Sequence, residues 1–274
     1  MAVVEQRDSP VSCELVISGW YAANEPRDYR TKGDDFIRGT GFRPLWWQSL
    51  DNYVAPEHVF IVDSASPAKP DDAACTSTKF QRVELLMNPG HSQNCRTHYC
   101  GYMAAVILGL EFALHNGVEM FIYVEQDALL FGDDIVAKTK NALRRRDLVF
   151  GRSSEVDIQQ SFFAANKKGI RHFLSALHAI DYSDKQIAPE HKFMFAGSRM
   201  LPSPLVRLAV HTSIDKLRRA GLLLFAAVCA LGRNYEFLPF GYGRDRPINF
   251  NDEAFYFQHG SVDEIAQYKI LTGF

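Results

Sequence analysis

The fifteen residues from Met120 to Asp134, MFIYVEQDALLFGDD, constrain this chain more than any other stretch. Met120 to Val124 is apolar, β-branched and aromatic, and short enough to be a strand buried on both faces of a helix-covered parallel sheet. The run then stops at Glu125 and Asp127. On an extended backbone, residues two apart point to one side, so both carboxylates belong at the carboxyl end of that strand. Ligands of open α/β sheets bind at that edge. Two carboxylates so close repel each other unless a cation or a raised pKa relieves them. A hard divalent ion such as Mg²⁺ or Mn²⁺ gives that relief and shares its remaining coordination with water and phosphate oxygens, so the pair is a candidate holder of a nucleotide diphosphate. The plainer reading is that Glu125 ends a strand and Asp127 opens a turn or caps a helix.

The rest of the first half alternates strand and helix. Glu14 to Gly19 reads as the first strand, and a polar loop with Arg27, Arg30, Arg38 and Arg43 follows. Leu45 to Tyr53 has helical spacing, and Val59 to Asp63 is a second apolar strand that again closes on a carboxylate. Strand, helix and acid-ended strand open a nucleotide-binding α/β unit, where the acid meets a ribose hydroxyl or a base edge; an Asx-turn is the other reading of Asp63. Phe80 to Met87 reads as a third strand. The loop from Asn88 to Arg96 precedes a helix over 97–116, and such a loop can offer backbone N–H groups to an anion, with Arg96 beside them.

Further helices are expected over Asp134 to Arg145 and Ile170 to Ile180, and strands at Asp147 to Gly151 and from Gln160. The apolar run Ala220 to Leu231 is too short to cross a bilayer and reads as a buried helix. The expected architecture is therefore one α/β domain over 1–274, Rossmann-like, with a mostly parallel sheet and helices on both faces. The nucleotide half spans about 12–135 and the acceptor half about 136–274.

Totals narrow the function. A formal net charge of -2 argues against a general nucleic-acid surface, and Arg144 to Arg146 reads as a solvated helix end. Five cysteines with no paired zinc spacing, Cys13, Cys75, Cys95, Cys100 and Cys229, suggest reduced thiols and a cytoplasmic location. Met1 to Pro10 mixes acids and bases before any apolar run, so no signal peptide is expected.

An N-terminal α/β unit with an acidic second strand and a hydrophobic strand ending in acid-x-acid resembles the nucleotide-sugar-dependent glycosyltransferases of the GT-A fold. The match is best from Val59 to Asp134; the family's motif is most often Asp-x-Asp, and this chain has Glu125-Gln126-Asp127. The resemblance implies a nucleoside-diphosphate sugar as donor, UDP- rather than GDP-linked, a hydroxyl of a glycan or other acceptor, and Mn²⁺ or Mg²⁺. It places Asp63 at the nucleoside and Glu125 at the metal or sugar. Asp127 becomes a metal ligand together with His259, which stands at the end of an apolar-aromatic strand expected from Phe255. Glu190, after Pro189, falls where inverting members carry the base that deprotonates the acceptor, with His191 and Asp184 as rivals. Arg244, in a loop expected to be flexible, and Arg96 would face the diphosphate. One of Trp46 and Trp47 is core, while the other is a candidate stacking surface. A sugar-phosphate nucleotidyltransferase is the alternative enzyme, although no Gly-rich basic loop follows Ile17-Ser-Gly-Trp20. A non-catalytic nucleotide- or carbohydrate-binding module is the alternative outside catalysis.

Overall fold

The computed structural model describes residues 13–23, 35–69, 79–152, 158–198 and 215–274. Arg27, Arg30, Cys75 and the leader question at 1–10 lie outside them. Strands β1 (Cys13–Trp20), β2 (Pro56–Asp63), β3 (Lys79–Glu84), β4 (Met120–Val124), β6 (Leu148–Gly151), β7 (Gln159–Asn166) and β8 (Tyr235–Phe237) form one sheet in the order β3-β2-β1-β4-β7-β6-β8. All run in one direction except β7, which is antiparallel to both neighbours. This is the mostly parallel α/β sheet that the alternating pattern implies.

Side-chain alternation divides the core in two. Val16, Ile61, Ile122 and Phe162 join one cluster with Leu45, Trp46, Trp47 and Leu50 of helix α1 (Arg43–Tyr53) and with Ile135 and Val136 of α3 (Ile135–Leu143). Ile17, Phe60, Phe121 and Phe163 face the opposite way. There they meet α2 (Gly101–His115), α4 (Lys167–His178) and α5 (Pro189–Ala196). Gly109 lets α2 lie close on β1: a Cβ there would sit 2.3 Å from Ile17 Cγ2, inside any van der Waals contact.

Several local expectations shift. The helix over 97–116 begins only at Gly101, and α4 begins at Lys167, because Asn166 accepts from Gly169 N at 2.9 Å and caps it there. The third strand stops at Glu84 and is a mostly exposed edge. Helix α6 (Asp215–Leu231) contains the run read as buried, yet Leu223 is 72% and Leu231 86% exposed, and Cys229 is buried. Composition identified the helix and misjudged its surroundings. No helix among the described residues is long and apolar enough to cross a membrane.

A second sheet went unread. β5 (Ala128–Phe131) pairs antiparallel with β10 (Phe255–Gln258), which pairs in parallel with β9 (Tyr242–Gly243). Thus Gly241 to Arg246 is no free loop: it carries β9, and Arg246 donates to Gln258 O at 2.8 Å and pairs with Glu264 of α7 (Val262–Thr272). This small sheet returns residues 258–259 to the tip of β4.

Candidate functional site

The carboxyl ends of β1, β2 and β4 share one edge, with Trp20 opposite Asp63 and Ile17 opposite Tyr123. The antiparallel β7 begins there, and Glu125 N donates to Ser161 O at 2.8 Å. β4 itself ends at Val124. Residues 125–127 form a turn closed by Ala128 N donating to Glu125 O at 3.0 Å. Glu125 and Asp127 therefore share a side because of a turn, where strand pleating was expected to put them there. Gln126 points elsewhere and pins the exit of β1: its Oε1 accepts from Tyr21 N at 2.6 Å and its Nε2 donates to Tyr21 O at 3.1 Å. Trp46 Nε1 donates to Glu125 O at 3.1 Å. Trp46 and Trp47 are both buried, so neither is the stacking platform that their adjacency suggested.

One amide joins the two acids. Gln258 Nε2 donates to Glu125 Oε2 at 2.6 Å and to Asp127 Oδ1 at 3.1 Å, while Gln258 Oε1 accepts from Arg244 Nε at 3.2 Å. The Arg38 guanidinium completes the set. Its Nε donates to Asp127 Oδ2 at 3.0 Å and its terminal NH2 lies 3.1 Å from His259 Nε2. A guanidinium only donates, so His259 Nε2 accepts and the ring proton sits on Nδ1. That Nδ1 is buried without a hydrogen-bond partner among the described residues. His259 holds φ at +57°, a conformation rare for a residue with a side chain, and this turns its ring from the end of β10 onto Asp127.

Charge follows geometry. Burial first, then the Asp127 charge, raises the Glu125 carboxyl to about 7. Burial opposes ionisation of Asp127 too, but Arg38, His259 and Gln258 outweigh it and hold that carboxyl below its ordinary range. His259 falls to about 4, through burial and the nearby arginines against the pull of Asp127, so the imidazole is neutral. The repulsion foreseen at the two acids is relieved from within: Glu125 holds its proton more tightly, and Asp127 has a guanidinium.

The expected metal ligands do meet. Asp127 Oδ2 and His259 Nε2 lie 3.5 Å apart. Yet the place between them is held by Arg38, and the other Asp127 oxygen takes the Gln258 N–H. Among the described residues no three His, Cys, Asp or Glu side chains gather in a metal-binding group. As arranged, the donor set does not fit a divalent ion beside the guanidinium.

Glu190 stands in the first turn of α5, partly buried. Its charge acts on Tyr102 together with that of Glu125, and on His91 together with those of Arg38 and Arg244. Tyr102 and His91 thus each feel the charge of Glu190 as well as charges of the acid cluster. Of its rivals, Asp184 is buried in a structural role: it pairs with Lys192 Nζ at 2.6 Å and accepts from Cys100 N at 2.6 Å. Partial burial lowers the pKa of His191 against the pull of Glu190. It lines an open cleft of about 190 Å³ together with Ser92, Gln93, Gln186 and Ala188.

Asp63 Oδ1 accepts from Ser66 N at 2.7 Å, so it does make the turn. Its Oδ2 is buried with no hydrogen-bond partner among the described residues, which leaves room for the second reading. Arg96 is exposed, and the helix terminus it was to join already has its own anion in Asp184 at Cys100 N. Arg38, Gln126 and Gln258 escaped the sequence reading. Arg38 was visible only as one of four arginines in a polar loop, and Gln258 only as the neighbour of a histidine.

No family model matches the sequence. No curated protein matches it either. Among solved structures, 4-diphosphocytidyl-2C-methyl-D-erythritol synthase from Anaerococcus prevotii is similar at 15% identity and a TM-score of 0.37, over 64% of this chain and 80% of that one. A protein described as a nucleotide-diphospho-sugar transferase from Desulfovibrio desulfuricans is similar at 13% identity and a TM-score of 0.38, over 64% of this chain and 73% of that one. Both likenesses are partial, and the site is read from its own residues.

Proposed function

We propose that the protein is a glycosyltransferase that moves a sugar from a nucleoside diphosphate, UDP rather than GDP, to an acceptor hydroxyl. The observation that carries this reading is the cluster at the carboxyl edge of the sheet: two acids bridged by Gln258, with Arg38 on Asp127 and Arg244 on the far side of the same amide. Glu190, in the first turn of α5, is the acid assigned here as the base.

In this reading the nucleoside lies over the end of β2, where Asp63 Oδ2 accepts from a ribose hydroxyl or base N–H. Arg38 and Arg244 face the diphosphate and offset the charge that grows on it as the glycosidic oxygen leaves. Glu125, holding a proton near neutral pH, donates a hydrogen bond to a sugar hydroxyl. Glu190 takes the proton of the acceptor oxygen as it attacks the anomeric carbon from the face opposite the diphosphate, so the product has inverted configuration. The cleft beside His191 would receive the acceptor.

The test is release of nucleoside diphosphate from a panel of UDP- and GDP-sugars, with and without sugar acceptors. Glu190→Gln should keep donor affinity and lose turnover by about 100-fold or more, the usual contribution of a general base. Pyrophosphate release from a nucleoside triphosphate and a sugar phosphate would favour a nucleotidyltransferase instead. Donor binding without turnover would favour a binding module.

A further inference from the structure

We infer that Arg38 is the resident cation of this site, and that nucleoside diphosphate binds here without a divalent metal. The inference rests on the donor-site reading just given. A metal ion held by Asp127 and His259 would need one carboxylate oxygen and the lone pair of His259 Nε2. Both already accept N–H groups of the same guanidinium, at 3.0 and 3.1 Å. The second Asp127 oxygen faces an amide N–H whose direction Arg244 fixes through Gln258 Oε1. Donors thus surround Asp127 where a metal site would leave lone pairs free. A divalent ion added beside them would stand within hydrogen-bonding distance of a guanidinium, cation against cation, and among the described residues no third acid gathers there to offset it.

Nor do the neighbours of the acids ask for one. Arg38 pairs with Asp127, and Arg244 reaches both carboxyls through the shared amide of Gln258, so two guanidinium groups already stand by the two acids. The site is already matched to an incoming anion. The Arg38 side chain keeps 23% of its surface exposed, so a diphosphate oxygen can reach it while its Asp127 contact is kept. Planar, two-pronged donation to carboxylate and phosphate together is what a guanidinium does and a metal-free lysine does less well.

Two measurements on the full chain decide the matter. The first is the EPR signal of Mn²⁺ with nucleotide-free protein. Wild type should leave the signal that of the free ion. Arg38→Ala should diminish it, because Asp127 and His259 are then open, and Arg38→Ala/Asp127→Asn, which also removes the unpaired buried carboxylate, should restore it. Mn²⁺ bound by wild type through Asp127 would overturn the assignment. The second is calorimetric binding of UDP with EDTA or with Mn²⁺. Wild type should show the same affinity in both, within about twofold. Arg38→Ala should bind UDP about 10- to 100-fold more weakly in EDTA, the range for a lost charged hydrogen bond, and Arg38→Lys should recover part of that. UDP binding that EDTA abolishes would sink the proposal. Failure to bind any nucleoside diphosphate in either condition would overturn the donor reading and the diphosphate half of this inference together, while the EPR arm still decides what holds Asp127 and His259.

Discussion

At the scale of single residues, Glu125 is where the environment works hardest against a side chain. Its pKa rises from an ordinary carboxylate value to about 7 because it is buried beside Asp127. A folded pKa above the unfolded one means that the native state binds the proton more tightly between the two values. The associated stability is fully present below about pH 4.5 and is lost as pH rises through 7. Glu125→Gln, which keeps the shape and still accepts from Gln258, has no proton to lose. We expect it to be more stable than wild type at pH 8 by about 3 kcal/mol, relative to the comparison at pH 4.5. Urea unfolding of both proteins at the two pH values measures this, and parallel pH profiles would show that the carboxyl ionises normally. Gln258 explains why such an acid is tolerated: a single amide gives both carboxylates a donor. Nothing in the sequence marks it, because its role depends on a strand from the far end of the chain pairing with residues 128–131.

Among elements, α5 carries Glu190, and what fixes α5 is an ion pair. Lys192 and Asp184 have fully buried side chains 2.6 Å apart, and Lys192 Nζ also donates to Tyr182 O at 2.6 Å. Asp184 meanwhile holds Cys100 N at the start of α2, so one carboxylate ties two helix starts together. Lys192→Met would leave Asp184 buried and unpaired, and we expect a loss of about 3–5 kcal/mol in chemical unfolding. Adding Asp184→Leu should recover part of it; a single variant costing under about 1 kcal/mol would show that the pair is not buried in solution. The elements themselves differ in how legible they are. β1, β2, β4 and α2 follow from apolar runs with clear stops, because strands buried on both faces and the helices over them need no long-range partner to be recognised. β5, β9 and β10 hold only two to four residues each, and their pairing joins residue 128 to 258. Local pattern has no access to that. The same limit explains α6, whose leucines look like core in sequence while Leu223 and Leu231 face outward. It also explains Asp127 and His259, which were read as convergent without the arginine that stands between them.

For the whole molecule, the consequence is that the candidate donor site is stitched from residues 38, 63, 125–127, 244 and 258–259, contributed by the ends of β2 and β4, by the segment before α1 and by the second sheet. A ligand that touches several of these segments at once must stabilise the fold as a unit, since it binds only when all are in place. At a free concentration one hundred times its Kd, such a ligand adds about 2.7 kcal/mol, which in a chain of this size raises Tm by about 5 °C. UDP should give that shift, and EDTA should leave it unchanged if Arg38 is the cation. UMP tells the more about where the binding comes from. The two arginines beside the acids imply that the second phosphate supplies much of the affinity, so UMP at the same concentration should shift Tm far less than UDP. Arg38→Ala should remove most of the difference between the two nucleotides. Equal shifts from UMP and UDP in wild type would mean that the guanidinium of Arg38 does not meet the second phosphate, and that the cluster at Asp127 does not hold the diphosphate.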